Sequence, residues 1–292
     1  MFIEIFILLQ IAKNIIREGE NKMFKAVVSD LDGTLLNAEH KVSEFTRETV
    51  ELLLKKGIKF YIATGRNYLG AKEAMDELGV KVPLITSHGS VVFDENGNKI
   101  FANNLKREYL DKVLDIDYRS FGKDIIITGY SGPNWFVTED LREYFYNKKP
   151  DRTRYPEQIT PEEFKRHDFT KIFFLGENHD ELLKLEDEIR KAVGDGNVSL
   201  LFANEGSLEV FSANCNKAKA AEVLLERDGL TLKDAVSFGD GLNDYELITE
   251  TGLGFAMGNS IYLLLEKLSD TEVIESNAED GMAKKLRELF DL

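Results

Sequence analysis

Cysteine is almost absent: Cys215 is the single one in 292 residues. No internal disulfide can form, so a small disulfide-stapled fold is excluded, and one thiol suits a reducing compartment; the expected location is the cytoplasm. Positive charge is also scarce, with 37 Lys+Arg against 52 Asp+Glu and a formal net charge of −15. A surface of that sign repels nucleic-acid phosphates and anionic lipid, so neither nucleic acid nor membrane is an expected partner. An anionic substrate requires a local reversal of sign.

A long hydrophobic run is missing too. Residues 2–16 are rich in Ile, Leu and Phe, but Glu4, Gln10, Lys13 and Asn14 interrupt them. The stretch falls short of the ~18 apolar residues of a membrane span. No basic residue precedes it and no small-x-small cleavage site follows, which argues against a secretory signal. Residues 1–22 are read as an N-terminal extension, either an amphipathic helix or an over-extended start, because Met23 directly precedes the first convincing strand. Internal repeats and low-complexity tracts are absent, and nothing in the pattern sets an oligomeric state.

What is present is a foldable chain, 43% hydrophobic, of a length that suits two domains with their own cores. From residue 23 onward, short β-rich runs alternate with longer helical stretches, the signature of parallel βαβ units. Strands are expected at 25–29 (KAVVS), 58–63 (IKFYIA), 83–86 (PLIT) and 235–238 (AVSF), with helices over 43–56, 68–78, 217–227 and 244–250. The middle differs, because its strands come in turn-linked pairs such as 91–93 and 99–101 around Asn96-Gly97. The reading is a Rossmann-like α/β core domain, residues 23–88 and 207–292, interrupted by an inserted α+β domain at 89–206.

Chemistry concentrates where core strands should end. Asp30-Leu31-Asp32-Gly33-Thr34 follows the first strand and places two carboxylates beside a turn-making glycine. Such crowding is costly unless a cation is present, so a metal is implied. A calcium loop fails, since Leu35 stands where its glycine belongs and Lys41 where its glutamate belongs. Ala63-Thr64-Gly65-Arg66 ends the second strand, where a hydroxyl, a glycine and a helix start can cradle phosphate. Gly239-Asp240-Gly241-Leu242-Asn243-Asp244 also follows a strand. Its two carboxylates would repel a pyrophosphate, so metal binding suits it better than dinucleotide binding. Lys217 opens a helix, and Cys215 is not a Cys-x5-Arg nucleophile because residue 221 is Ala. In open α/β folds, ligands bind at the carboxyl ends of parallel strands, so Asp30, Thr64 and Asp240 should converge.

These residues resemble the haloacid dehalogenase-like hydrolase superfamily, whose four motifs stand in order from residue 23 to the C-terminus. The long insertion between the second and third motifs, with Met257-Gly258-Asn259 and Glu279-Asp280-Gly281, is similar to the Cof-type phosphatases with an α/β cap. The resemblance implies hydrolysis of a small phosphorylated metabolite, sugar phosphates first, with catalytic residues Asp30, Asp32, Thr64 and Lys217. It implies Asp30 as nucleophile and Asp32 as general acid and base. Mg²⁺ would be held by Asp30, the Asp32 backbone carbonyl, Asp240 and Asp244, and phosphate by Thr64, Gly65, Lys217 and Asn243. A sugar phosphomutase, or a non-catalytic protein that binds a phosphorylated metabolite, would use the same residues. One departure concerns Ser87-His88-Gly89-Ser90, where relatives usually show Asn-Gly. His88 would touch the leaving group or the domain hinge, or serve only as structure, and Arg66 would contact substrate or make a surface salt bridge. The basic run Lys148, Lys149, Arg152 and Arg154 is either solvated or turned to the cleft, where it would favour a second acidic group on the substrate.

Overall fold

The computed structural model describes residues 23–132, 134–141 and 155–292. The N-terminal extension and the basic run at 148–154 lie outside them. Two sheets organise the described chain. The first has eight strands in the order β14-β13-β12-β1-β2-β3-β4-β5. They are β1 (Ala26–Ser29), β2 (Lys59–Ala63), β3 (Leu84–Thr86), β4 (Val91–Phe93), β5 (Lys99–Ala102), β12 (Ala235–Gly239), β13 (Leu253–Ala256) and β14 (Glu272–Val273). The second sheet has six, in the order β10-β11-β9-β6-β7-β8. These are β6 (Ile126–Ser131), β7 (Asn134–Val137), β8 (Glu157–Gln158), β9 (Lys171–Leu175), β10 (Val198–Asn204) and β11 (Ser207–Ser212).

The first sheet is parallel from β14 to β3 and covered by helices on both faces. Its central strands therefore read as nearly continuous apolar runs. Alternation along β1 decides which layer each side chain joins. Val27 packs with Val50, Leu53, Phe60, Met75 and Leu286, beneath helices Glu44–Lys55, Tyr68–Leu78 and Gly281–Phe290. Ala26 and Val28 face the other way, against Ala221, Leu224, Leu225 and Leu247 of helices Lys217–Arg227 and Tyr245–Glu250. Side-chain caps set the helix starts: Ser43 accepts from Thr46 N at 3.0 Å, Asn67 from Gly70 N at 2.9 Å and Asn216 from Lys219 N at 2.8 Å.

The second sheet buries one face under helices Arg107–Leu114 and His179–Val193, through Ile172, Phe174, Leu208 and Val210. Its other face carries Tyr130, Lys171 and Glu209 toward the first sheet, where they line a shared cleft. Among the described residues no helix is long and apolar enough to cross a membrane.

The α/β class and second mixed layer are as expected, with two stretches paired across the limits read from the sequence. Hairpin β4–β5 pairs antiparallel with β3 and extends the first sheet, so that sheet runs past residue 88 to Ala102. Strand β11 belongs to the second sheet, so that layer runs past residue 206 to Ser212. The physical reason is that a turn-linked pair has the same local pattern whichever edge it joins. Residues 89–102, read from the sequence as insertion, thus belong with the core sheet, and 207–212, read as core, with the inserted one.

Candidate active site

Parallel register aligns the carboxyl ends of three neighbouring strands. Ser29 of β1 pairs with Phe238 of β12 on one side and Ile62 of β2 on the other. The loops that leave these ends carry Asp30, Thr64 and Asp240, and Asp30 N donates to Phe238 O at 3.0 Å. The result is a cleft of about 530 Å³ lined by Asp30, Asp32, Thr64, Gly65, Arg66, His88, Asp240 and Asn243, and roofed by Tyr130, Lys171, Phe202 and Glu209.

Beneath the floor lies an ion-paired trio. Lys217, the first residue of its helix, is 1% exposed and donates to Asp30 Oδ1 at 2.5 Å and Asp244 Oδ1 at 2.7 Å. Burial alone would push the lysine down, but Asp244 and Asp30 outweigh it and hold Lys217 above the usual lysine range. Asp244 also turns its other oxygen back to cap its own loop, accepting from Asp240 N at 3.1 Å and Gly241 N at 3.0 Å. Asp240 accepts from Thr34 Oγ1 at 3.0 Å, which ties the first motif to the last. Gly33 makes that approach possible: its φ is +79°, and a Cβ there would sit 2.3 Å from Asp240 Oδ2. Asn259 Nδ2 donates to Gly33 O at 2.8 Å and steadies the same turn.

One oxygen from each of Asp30, Asp240 and Asp244 lies within 4.8 Å of the others. Burial, then the neighbouring Asp244 charge, pushes Asp30 well above the usual carboxylate range, and the same causes bring Asp240 up to about 6. Lys217 therefore does not neutralise the cluster by itself. A hard, oxygen-only donor set with residual negative charge fits a small divalent cation. The Asp32 side chain stays out of this group and is gripped by Arg66, whose Nε donates to Oδ2 at 2.8 Å while Nη2 bonds Oδ1. Arg66 is thus tied to a site carboxylate while it lines the cleft, a position open to substrate. Thr64 Oγ1 accepts from Arg66 N at 3.1 Å and shapes the turn in which Gly65 lies.

Of the described residues named from the sequence, Asp30, Asp32, Thr64, Gly65, Arg66, His88, Asp240 and Asn243 line this cleft, and Lys217 and Asp244 lie beneath it. Sequence reasoning missed Lys171 and Glu209. Both are buried ions inside apolar strands, Lys-Ile-Phe-Phe-Leu and Ser-Leu-Glu-Val-Phe-Ser, and a charge in such a run was the available signal. Lys171 Nζ bonds Glu209 Oε1 at 2.8 Å and the Gly65 carbonyl at 3.1 Å. Glu209 Oε2 bonds His88 Nε2 at 2.6 Å.

A parallel-sheet crevice with clustered carboxylates, a buried lysine and a second domain overhead defines a hydrolase built for phosphoryl groups. Residues 27–286 match the model of the haloacid dehalogenase-like hydrolases, and the chain belongs to that family as an enzyme of the phosphatase type. A protein of Buchnera aphidicola subsp. Baizongia pistaciae, provisionally named a phosphatase, is 36% identical over 272 residues, covering 92% of this chain and 99% of its own. An HMP-PP phosphatase of Enterobacter sp. (strain 638) is 31% identical over 270 residues, covering 92% and 97%. A solved haloacid dehalogenase-like hydrolase from Bacteroides thetaiotaomicron shares the fold at TM-score 0.78 and 24% identity, over 91% of this chain and 100% of that one. A subclass IIB sugar phosphatase does so at TM-score 0.76 and 22% identity, over 92% and 100%.

Proposed function

We propose that this protein is a Mg²⁺-dependent phosphatase that hydrolyses a small phosphorylated metabolite, sugar phosphates first, through a phosphoaspartyl intermediate on Asp30. The observation that carries this reading is the convergence of Asp30, Lys217, Asp240 and Asp244 at the carboxyl ends of β1 and β12, one buried cation among three carboxylates. Asp30, Asp240 and Asp244, with the Asp32 backbone carbonyl, would hold Mg²⁺. Bound there, the ion supplies positive charge to the phosphoryl oxygens and lowers the barrier to nucleophilic approach.

The protein's own groups divide the remaining work. An Asp30 oxygen attacks phosphorus as the bond to the ester oxygen breaks, and Asp32 gives that oxygen a proton. Asp32 then takes a proton from the water that attacks the acyl phosphate, which frees Asp30 and inorganic phosphate. Thr64, the Gly65 backbone N–H, Asn243 and Lys217 bind the phosphoryl oxygens, and Arg66 holds Asp32 in reach. The second domain acts as a cap that excludes water and selects the leaving group. The sugar phosphatase of shared fold and the HMP-PP phosphatase relative both support a small phosphorylated substrate. A single cysteine, buried at Cys215, suits the cytoplasm.

The test is phosphate release from an aryl phosphate and a sugar phosphate panel, with Mg²⁺ and with chelator. Release that depends on Mg²⁺ is expected, and Asp30→Asn should reduce it about a thousandfold or more while the fold survives. A folded protein with no metal-dependent release would overturn the reading.

A further inference from the structure

His88 connects the second domain to the floor of the cleft through an unbroken set of polar contacts. Lys171 and Glu209, on adjacent strands β9 and β11, pair at 2.8 Å with both side chains buried. Glu209 Oε2 meets His88 Nε2 at 2.6 Å, and His88 Nδ1 lies 3.3 Å from Asn243 Nδ2. Burial pushes His88 below the usual histidine range, against the pull of Glu209. Burial would raise Glu209, but Lys171 and the His88 bond prevail and hold it at about 2. The ring is therefore neutral beside an ionised carboxylate. A carboxylate only accepts, so Nε2 carries the proton and Nδ1 keeps its lone pair. Only a donor can face that lone pair, which turns the Asn243 nitrogen toward the ring and its oxygen toward Gly241. A Cβ on Gly241 would lie 2.6 Å from that oxygen.

Several features hold the imidazole in this place at some cost. Ser87 and His88 both adopt left-handed backbone, with φ of 49° and 57°, which costs non-glycine residues on the order of 1 kcal/mol each. Ser87 N donates to Arg66 O at 2.8 Å and His88 N to Thr64 O at 3.1 Å, so the strained turn hangs from the Thr64 loop. The ring stacks on Phe211 with centroids 5.0 Å apart. It also occupies the space above Gly65, where a Cβ would come within 2.4 Å of Cε1. A filler side chain needs none of this aiming.

We propose that His88 is a positioning residue: Glu209 of the second domain fixes its Nε2–H tautomer, and Nδ1 thereby holds the Asn243 amide in the orientation that serves the phosphoryl site. Lys171 and Glu209 come from the second sheet, so Asn243 is held this way only when the two domains meet. The proposal rests on the phosphatase reading for Asn243's role, but its tautomer can be observed without turnover.

Steady-state kinetics on an aryl phosphate with Mg²⁺ would compare the wild type with His88→Phe, Asn243→Ala, the double variant and His88→Asn. His88→Phe keeps the ring on Phe211 and loses both bonds; about a tenfold fall in kcat/KM is expected. The double variant should be no worse than Asn243→Ala, and His88→Asn, which places an amide oxygen near the Nδ1 position, should recover most of the loss. Losses that multiply in the double variant, or an unchanged His88→Phe, would overturn the proposal. If His88→Phe does not fold, Glu209→Gln takes its place in the same cycle with the same expectation. Independently of activity, long-range ¹H–¹⁵N NMR of the wild type should show His88 protonated at Nε2 alone. A proton on Nδ1 would refute the positioning role even in an inactive protein, whereas absent turnover with the Nε2–H tautomer would count against the phosphatase reading only.

Discussion

Lys217 Nζ lies 2.5 Å from Asp30 Oδ1, a buried ion pair that joins the first strand loop to a helix 187 residues later. The pair places a permanent cation against the carboxylate proposed as nucleophile, and Asp244 shares it from the other side at 2.7 Å. The lysine is held structurally by the same charges it would balance during reaction, which makes its role in the fold testable apart from its role in turnover.

Lys217→Met removes the cation and leaves the buried Asp30 and Asp244 facing each other. A loss of about 3 kcal/mol in unfolding free energy is expected for the metal-free protein, because a buried charge loses its partner. Urea denaturation of both proteins at pH 7 checks it. A loss within error of zero would show that the cluster needs no internal cation.

Adding Mg²⁺ should stabilise the wild type, since the ion binds the folded carboxylate cluster and not the dispersed chain. At a concentration a hundred times its dissociation constant the gain is about 2.7 kcal/mol. Asp240→Asn removes one of the three clustered carboxylates and should abolish most of that gain. Thermal melts with and without Mg²⁺ measure both; an equal shift in the variant would remove Asp240 from the metal site.

The His88–Glu209 contact gives a pH dependence of definite sign. Both groups are lowered in the folded state, Glu209 to about 2 from the 4.5 of an exposed glutamate and His88 from 6.5. As pH falls, the unfolded chain therefore takes up protons first, and stability contributed by His88 is full above 6.5 and declines below it; the Glu209 share declines from 4.5 toward 2. The stability difference between wild type and His88→Phe should accordingly shrink as pH drops from 7.5 to 5. Paired denaturation curves across that range provide the check, and a difference that widens would reverse the assignment.

Much of this site was legible in the sequence because its motifs are local. Asp30 to Thr34, Thr64 to Arg66 and Asp240 to Asn243 each sit within a few residues of a strand end, and β-rich runs bounded by turn residues reveal those ends. Helices 68–78 and 217–227 were visible to the residue through their apolar spacing, and an asparagine caps the start of each. The hairpin Val91–Ala102 was legible as a hairpin but not as an extension of the first sheet, because pairing partners are not encoded in a period-two pattern.

Tertiary structure decided the rest. By itself, the sequence determined the class of fold, the order of motifs and the residue types able to bind a cation and a phosphoryl group. It could not tell that Glu209, 121 residues from His88, would set that histidine's tautomer, or that Lys171 would bond the carbonyl of Gly65. Those contacts depend on how the two sheets meet, and a buried charge in a strand announces only that some partner must exist.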